Sequence, residues 1–241
     1  MKNELMLQNM PQRSNTGGTN ILAILIGISA GLAIWFDWTG QWALYCLFKP
    51  LTTCLVITVP LVYGKKSIPR YRNLITLALI FCLAGDIFLL FDTYFVAGLV
   101  AFLLAHILFT VAFISFQGMH FFYKPLAGLL VFGISFYAFL WPHLGDLLLP
   151  VAVYVGVLLF MCWQGIGWYL AQRSRASVYV ATAVVLFVLS DALLAVNKFV
   201  YAFKASGIFV LTTYWVSVAL IAYSVVLIRN AGDKTFNTYQ S

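Results

Sequence analysis

The strongest constraint on this chain is a series of eight long apolar segments, separated by short loops, that covers most of its 241 residues. A helix needs about 20 apolar residues to cross the hydrocarbon core of a bilayer. Hydrophobic residues make up 63% of the chain and charged residues 9%, a balance that a soluble domain of this length does not have. The sequence therefore predicts an all-α polytopic membrane bundle of about eight transmembrane helices. The predicted spans are 20–36, 42–63, 73–91, 94–116, 123–141, 147–171, 177–198 and 206–228.

Three regions follow from this pattern. Residues 1–18 are polar and are predicted to form a flexible N-terminal tail, because they have too little apolar surface to order them. Residues 19–229 form the eight-helix transmembrane domain, and residues 230–241 a short cytoplasmic C-terminal tail. Since the loops are short, consecutive helices are expected to be antiparallel neighbours.

Loop charges orient the bundle. Eleven of the 14 basic residues fall on one side of the predicted spans: Lys2, Arg13, Lys65, Lys66, Arg70, Arg72, Lys124, Arg173, Arg175, Arg229 and Lys234. The positive-inside rule places this side, with both termini, in the cytoplasm. Asp37, Asp92, Asp146, Lys198 and Lys204 lie on the other side. Short loops favour a bacterial-type inner membrane, although an endoplasmic reticulum protein has similar features.

Two aspartates lie inside the apolar segments, in similar local strings: Asp86 in LAGDIFLL and Asp191 in VLSDALLA. A carboxylate costs about 3 kcal/mol or more at the middle of a membrane, so an acid in this position is a functional-site candidate. At about 1.5 Å per helical residue, both lie roughly 10 Å below the outer surface. We therefore predict that they form one site reached from that side.

Lys49 and His106 are the other ionisable residues well inside the apolar segments. Lys49 falls at the level of the two aspartates, and a charge partnership with one of them would offset its cost. Alternatively, it extends outward beside the kink at Pro50. His106 either supports the site or only hydrogen-bonds between helices. Neither a metal nor another cofactor is predicted, because the histidines and cysteines do not have a ligand spacing.

The similar strings around Asp86 and Asp191 also suggest an internal repeat. They are offset by 105 residues, which pairs the third helix with the seventh, and both helices run outward. This pattern fits two parallel four-helix halves. Chance similarity among apolar residues explains it equally well.

Four motifs in order resemble the signatures of the YhhN-like lysoplasmalogenases: KPLTT at 49–53, GDIFLL at 85–90, GLVAFLLAHILF at 98–109 and SDALLAVNKF at 190–199. The resemblance extends from the second helix to the seventh. One departure is Phe109, where many members of the family are expected to have a tyrosine. The polar N-terminal tail lies outside the resemblance.

The resemblance implies hydrolysis of the vinyl ether bond of a lysoplasmalogen lipid, which gives a fatty aldehyde and glycerophosphoethanolamine or glycerophosphocholine. This chemistry needs an acid and a carboxylate that stabilises an oxocarbenium ion, as in glycoside hydrolysis. Asp191 is assigned as the acid and Asp86 as the stabilising carboxylate, although the reverse assignment remains open. Lys49 would keep one acid ionised, and Asn197 and Lys198 would contact the phosphate.

Other functions remain open on the residues alone. Membrane-embedded acids and lysines are also typical of proton-coupled small-molecule or lipid transporters. A binding or scaffold protein is a third possibility. The basic residues form no patch interleaved with aromatic residues, so no nucleic-acid partner is predicted. Oligomeric state and head-group preference are not encoded in a recognisable motif.

Overall fold

The computed structural model describes residues 16–64 and 67–238. Within these ranges it contains eight helices long and apolar enough to cross a membrane, and no strand. The prediction of an all-α membrane bundle with eight spans is confirmed. The chain is a multi-pass membrane protein.

The eight helices follow the apolar segments closely. They are α1 (Thr16–Trp38), α2 (Trp42–Thr58), α3 (Pro69–Phe88), α4 (Phe95–Gln117), α5 (Tyr123–Leu140), α6 (Leu148–Ala171), α7 (Arg175–Ala195) and α8 (Ser206–Thr238). Two π-helical turns extend α2 and α7, at Val59–Tyr63 and Val196–Val200. Single 3₁₀ turns at Asp92–Tyr94, Trp141–His143 and Gly145–Leu147 lie in the connections.

Local sequence explains several of these boundaries. Pro69 occupies the first helical position of α3, where the missing N–H of proline has no cost. Ser174 and Ser177 form a reciprocal capping box at the start of α7. The π turn after α7 contains Asn197 and Lys198, and π turns occur frequently at functional sites.

The helices differ in how deeply they are packed. The two most extensive interfaces join α3 to α4 and α7 to α8, and α8 also contacts α1, α2 and α3. Helix α5 packs mainly on α6. Within α5, which the structure describes in full, Gly133 and Leu140 are the buried residues. Helix α8 is thus central to the bundle and α5 is peripheral.

Hydrogen bonds between buried side chains join the helices. The hydroxyls of Ser29 and Thr52 are 2.8 Å apart and link α1 to α2. The hydroxyls of Tyr71 and Ser224 are 2.7 Å apart and link α3 to α8. Small polar residues are common at helix interfaces in membranes, where contact between apolar surfaces adds little hydrophobic driving force.

Parts of the predicted tails and of the charge pattern fall where the structure gives no description. Lys2, Arg13, Lys65 and Lys66 lie outside the described residues. Helix α1 begins at Thr16, and α8 continues to Thr238 through much of the segment assigned to the C-terminal tail. The pairing of α3 with α4 and of α7 with α8 is the pairing that the suggested repeat requires. The repeat itself stays a prediction.

Candidate functional site

A cavity of about 250 Å³ opens at the end of the bundle that carries the α1–α2, α3–α4 and α7–α8 connections. We refer to this as the Asp92 end and to the cavity as the polar cavity. Its polar lining residues are Asp37, Tyr45, Lys49, Asp86, Asp92, Ser190, Asp191, Asn197, Lys198, Ser206 and Tyr214. Five of the six predicted site residues, all but His106, therefore line one cavity.

Asp86 is held by residues of two other helices. Its Oδ2 accepts hydrogen bonds from the Thr53 hydroxyl at 2.5 Å and from the Tyr214 hydroxyl at 2.9 Å. Thr53 is oriented in turn by the indole N–H of Trp215, which donates to Thr53 Oγ1 at 3.2 Å. Asp86 is 1% exposed, so these donors replace the water that its carboxylate would otherwise bind.

Asp191 has a different set of neighbours. Its Oδ2 accepts a hydrogen bond from the Tyr154 hydroxyl at 2.6 Å and lies 3.7 Å from Nε2 of His106. Both ring nitrogens of His106 lack a hydrogen-bond partner among the described residues. The His106 ring packs edge-on against Phe187, with ring centroids 4.6 Å apart. The structure thus places His106 against Asp191, outside the lining of the polar cavity.

Lys49 projects from α2 one turn before Thr53, on the same face of the helix. It is 5% exposed and lines the polar cavity. Its ammonium lies 5.6 Å from the centre of the Tyr45 ring. Among the described residues, no carboxylate comes within 4.0 Å of it. Lys49 therefore shares the cavity with Asp86 and Asp191 without a direct ion pair.

Asn197 and Lys198 lie at the mouth of the cavity, in the π turn after α7. Lys198 Nζ is 2.6 Å from Asp92 Oδ1 and 4.9 Å from the centre of the Phe95 ring. Asn197 Oδ1 accepts a hydrogen bond from the Phe203 N–H at 3.2 Å. These contacts fix both side chains at the entrance, where the Asn197 amide group and the Lys198 ammonium can meet an anionic ligand.

A second, smaller cavity of about 60 Å³ adjoins the first between α4, α5, α6 and α7. We refer to it as the apolar cavity. Its lining is aliphatic and aromatic except for Tyr154 and Asp191, and it shares Phe95, Asp191 and Leu194 with the polar cavity. Asp191 therefore lies at the boundary between a polar and an apolar compartment.

The hydroxyl donors to both aspartates were not predicted from the sequence. Tyr154 lies about 9 Å along α6 from Leu148, and Tyr214 about 12 Å along α8 from Ser206. Both helices begin at the Asp92 end, so the depth argument that joined Lys49, Asp86 and Asp191 also applies to these tyrosines. Asp37 was placed at this end of the bundle, but its packing against Gly207 of α8 was not predictable.

The departure at Phe109 lies outside both cavities. Phe109 is fully buried and packs against Phe113 and Phe187, with ring centroids 6.4 Å away in each case. The phenol groups that contact the aspartates come from Tyr154 and Tyr214 instead. Within residues 16–64 and 67–238, no three His, Cys, Asp or Glu side chains converge as metal ligands would.

A model of the YhhN family matches residues 44–225, a range that contains every residue of the polar cavity except Asp37. The chain belongs to the YhhN family. The resemblance predicted from the four ordered motifs is thereby confirmed.

The chain is also similar to individual proteins. The chain is 34% identical to bovine lysoplasmalogenase TMEM86A over 163 residues, covering 63% of this chain and 65% of the relative. It is 32% identical to rat lysoplasmalogenase TMEM86B over 188 residues, covering 76% and 72%. It is 26% identical over 206 residues to an Escherichia coli O157:H7 protein named uncharacterized membrane protein YhhN, covering 85% and 98%.

The chain thus spans about 65% of the length of the TMEM86A relatives. No solved structure matches it.

Proposed function

We propose that this chain is a lysoplasmalogenase, an ether hydrolase that cleaves the vinyl ether bond of a lysoplasmalogen. The products are a fatty aldehyde and glycerophosphoethanolamine or glycerophosphocholine. The observation that carries the proposal is that Asp86 and Asp191 line one membrane-embedded cavity. The similarity to relatives named lysoplasmalogenase supports the choice of substrate.

The proposed reaction begins with protonation of the vinyl ether. Asp191 gives its proton to the alkenyl carbon remote from oxygen, and the π electrons form the new C–H bond. The carbon attached to oxygen becomes an oxocarbenium ion, which a water molecule captures with loss of a proton to a carboxylate. The resulting hemiacetal releases the aldehyde and leaves a hydroxyl on the glycerol. The net reaction consumes one water and needs no cofactor.

The hydrogen bonds favour Asp191 as the acid and Asp86 as the stabilising carboxylate. Both lone pairs of Asp86 Oδ2 are occupied by donors, and Lys49 supplies a positive charge to the same cavity. A fixed negative charge at this position would stabilise the oxocarbenium ion. Asp191 accepts one hydrogen bond, on Oδ2, which leaves Oδ1 to carry a proton toward the substrate.

The remaining cavity residues suit a phospholipid head group. Lys49 and Lys198 are cations on the inner and outer parts of the lining, and Asn197 lines the same space. We assign these three residues to the phosphate. The exposed Asp92, paired with Lys198, and Asp37 can receive the ammonium group of ethanolamine or choline.

The proposed location is the cell inner membrane, with both termini in the cytoplasm. The basic residues at the opposite end of the bundle support this orientation through the positive-inside rule. The polar cavity then opens on the extracytoplasmic side. A lysolipid in the outer leaflet would present its vinyl ether, just below the glycerol, at the depth of Asp191.

The test uses the purified full-length protein with a synthetic lysoplasmalogen. Wild-type protein is expected to release aldehyde. The double variant with Asp86→Asn and Asp191→Asn, obtained as folded protein in equal yield, is expected to release none. In D₂O, aldehyde trapped at once by reduction should carry one deuterium on the carbon next to the former carbonyl, as mass spectrometry will show. Aldehyde without that deuterium would rule out protonation of the alkenyl carbon.

The competing function is a proton-coupled transporter of a small molecule or lipid. The buried carboxyl groups in a membrane bundle are the feature that favours it. A transporter reconstituted in proteoliposomes moves solute across their membrane without forming aldehyde. If the protein forms no aldehyde but transports solute, and this transport depends on Asp86 and Asp191, the transporter function would replace the hydrolase proposal.

A further inference from the structure

The apolar cavity continues beyond its enclosed part. Its volume of about 60 Å³ is well below the ~300 Å³ or more of a cavity that encloses a drug-sized ligand. Two of its wall residues, Val155 and Leu159 of α6, also line a crevice between α5 and α6. Together the apolar cavity and this crevice follow one apolar path outward from Asp191.

The crevice reaches the lipid-facing surface of the bundle. It is lined by partly exposed apolar residues, among them Leu130 and Ile134 of α5, which are 49% and 69% exposed, and Trp141 of the following 3₁₀ turn, which is 56% exposed. Three small residues of its lining, Ala138 of α5 and Ala152 and Gly156 of α6, leave space between the two helices, while Gly133 of α5 lets the Leu159 side chain of α6 pack against the α5 backbone. Gly133 in particular cannot carry a side chain without repacking, because a Cβ there would collide with the Leu159 side chain.

Its outer wall is the least buried helix of the bundle. Helix α5 packs mainly on α6, and its exposed face is apolar throughout the crevice. The path from Asp191 therefore ends where hydrocarbon, not water, is the surrounding solvent. A hydrocarbon chain is the ligand whose chemistry matches an apolar path with a carboxyl group at its inner end and lipid at its outer end.

We propose that the apolar cavity and the α5–α6 crevice bind the hydrocarbon chain of a lysolipid, and that Val155 and Leu159 determine which chain lengths fit. This inference rests on the proposed function, since it adds the chain-binding site to the same reaction. The polar head group occupies the polar cavity, the alkenyl chain runs past Leu194 into the apolar cavity, and the bond between them lies beside Asp191. The substrate enters sideways from the bilayer between α5 and α6.

The position of Asp191 makes the arrangement specific. A vinyl ether joins the head group to the chain, and Asp191 is one of three residues common to the walls of both cavities. Asp86, by contrast, lines the polar cavity but not the apolar cavity. A lipid that fills both compartments therefore brings its ether oxygen and alkenyl carbons to the residue that we assign as the acid.

The experiment uses a substitution that narrows the path between the apolar cavity and the crevice. Val155→Trp places a large ring in the shared wall, and Val153→Trp is the matched control because Val153 belongs to the same helix, is 49% exposed and lines none of the three spaces. Each protein is assayed with lysoplasmalogens that carry 18-carbon and 8-carbon chains. Val155→Trp should lower the ratio of kcat/KM for the long chain to that for the short chain by roughly tenfold or more.

One further variant and a binding assay complete the test. Leu159→Ala widens the same wall and should raise the ratio, so the proposal remains testable if Val155→Trp protein fails to fold. Binding is measured from the rise in Tm with saturated 1-O-alkyl lysolipids of 18 and 8 carbons, which cannot be hydrolysed at a vinyl ether. The long-chain ligand should stabilise wild-type and Val153→Trp protein, and its effect should be lost in Val155→Trp protein.

The outcomes separate the chain site from the proposed chemistry. In one outcome, lysolipid binding depends on chain length and is lost in Val155→Trp protein, but wild-type protein releases no aldehyde. This outcome would support the chain site and overturn the hydrolase proposal. Aldehyde release with the same chain-length ratio in wild-type, Val155→Trp and Leu159→Ala protein would overturn the chain site and leave the hydrolase intact. An equal change in the ratio for Val153→Trp and Val155→Trp would also overturn it.

Discussion

Asp86 on α3 and Asp191 on α7 occupy similar sequence positions but different surroundings. Asp86 follows Gly85, whose missing side chain makes room for the Phe102 ring of α4. Asp191 follows Ser190, whose hydroxyl donates to the Val210 carbonyl of α8 at 3.0 Å. Two hydroxyls fix Asp86 inside the polar cavity, whereas one fixes Asp191 at the boundary with the apolar cavity.

Under the proposed function, this difference suits the two similar sequence positions to two chemical roles. A carboxylate with both lone pairs of one oxygen occupied is well suited to remain charged and stationary. A carboxyl group with one donor, a buried imidazole beside it and an apolar space in front of it is suited to carry a proton to carbon. The neighbours that create the difference come from α2, α4, α6 and α8 rather than from the strings around the aspartates.

The largest expected effect separates the two aspartates from each other. Asp191→Asn should lower kcat for aldehyde release by about 10³-fold or more, because a general acid contributes 10² to 10⁴. Asp86→Asn should lower kcat by about 10²-fold, the size expected for loss of one charge-stabilising group. Both are measured on folded, monodisperse protein.

The control for this pair is Asp146→Asn, since Asp146 is exposed at the same end of the bundle and lines neither cavity. It should retain wild-type kcat. A larger loss from Asp86→Asn than from Asp191→Asn would reverse the assignment of the two roles.

The residues that precede the aspartates should differ in their effect on stability. A Cβ on Gly85 would lie 2.5 Å from the Phe102 ring, so Gly85→Ala should lower the free energy of unfolding by about 1–3 kcal/mol. Ser190→Ala removes one hydrogen bond to a backbone carbonyl and should cost about 1 kcal/mol. Reversible unfolding in detergent with increasing SDS measures both.

Gly27→Ala provides the comparison for these changes, because Gly27 has nothing within 4 Å of the position of a Cβ. It should leave stability almost unchanged. A Gly85→Ala protein as stable as wild type would show that Phe102 moves aside without cost.

The smallest effects are expected from the tyrosines that contact the aspartates. Tyr154→Phe removes the hydrogen bond to Asp191 Oδ2 and should lower kcat about tenfold, the value of one hydrogen bond to a charged or proton-transferring group. Tyr214→Phe leaves Thr53 as a donor to Asp86 and should lower kcat about threefold. Initial rates at saturating substrate give both values.

Tyr71→Phe is the matched control, because Tyr71 is buried and hydrogen-bonded to Ser224 away from both cavities. It should affect stability more than kcat. Equal losses of kcat from Tyr154→Phe and Tyr214→Phe would contradict the difference between the two aspartate environments.

The sequence predicted the helices well because each apolar segment is long enough to span a membrane and ends at a charged or turn-forming residue. It also predicted that Lys49, Asp86 and Asp191 lie together, since distance along a membrane helix translates directly into depth. Asn197 and Lys198 were found through the motif SDALLAVNKF rather than through geometry. Each of these inferences uses information within a single helical segment and does not require knowledge of how the helices pack.

The partners of the aspartates required the packing of distant segments. Tyr154 is 37 residues from Asp191, and Tyr214 is 128 residues from Asp86. Depth alone places these residues at one level. It does not determine which side of each helix faces the aspartates, because every face of these helices is apolar. Lys49 lines the same cavity as both aspartates, and its charge partnership with one of them stays a prediction.

The sequence by itself determined the class of the protein, its eight spans, its family and the level of the two acids. These properties follow from hydropathy, length and local motifs, which act along a single segment. Only the tertiary structure decided that Asp86 accepts hydrogen bonds from Thr53 and Tyr214 and that Asp191 lies between a polar cavity and an apolar one. Those features depend on the rotation of each helix about its axis, which is set by the fit of side chains between helices rather than by hydrophobicity.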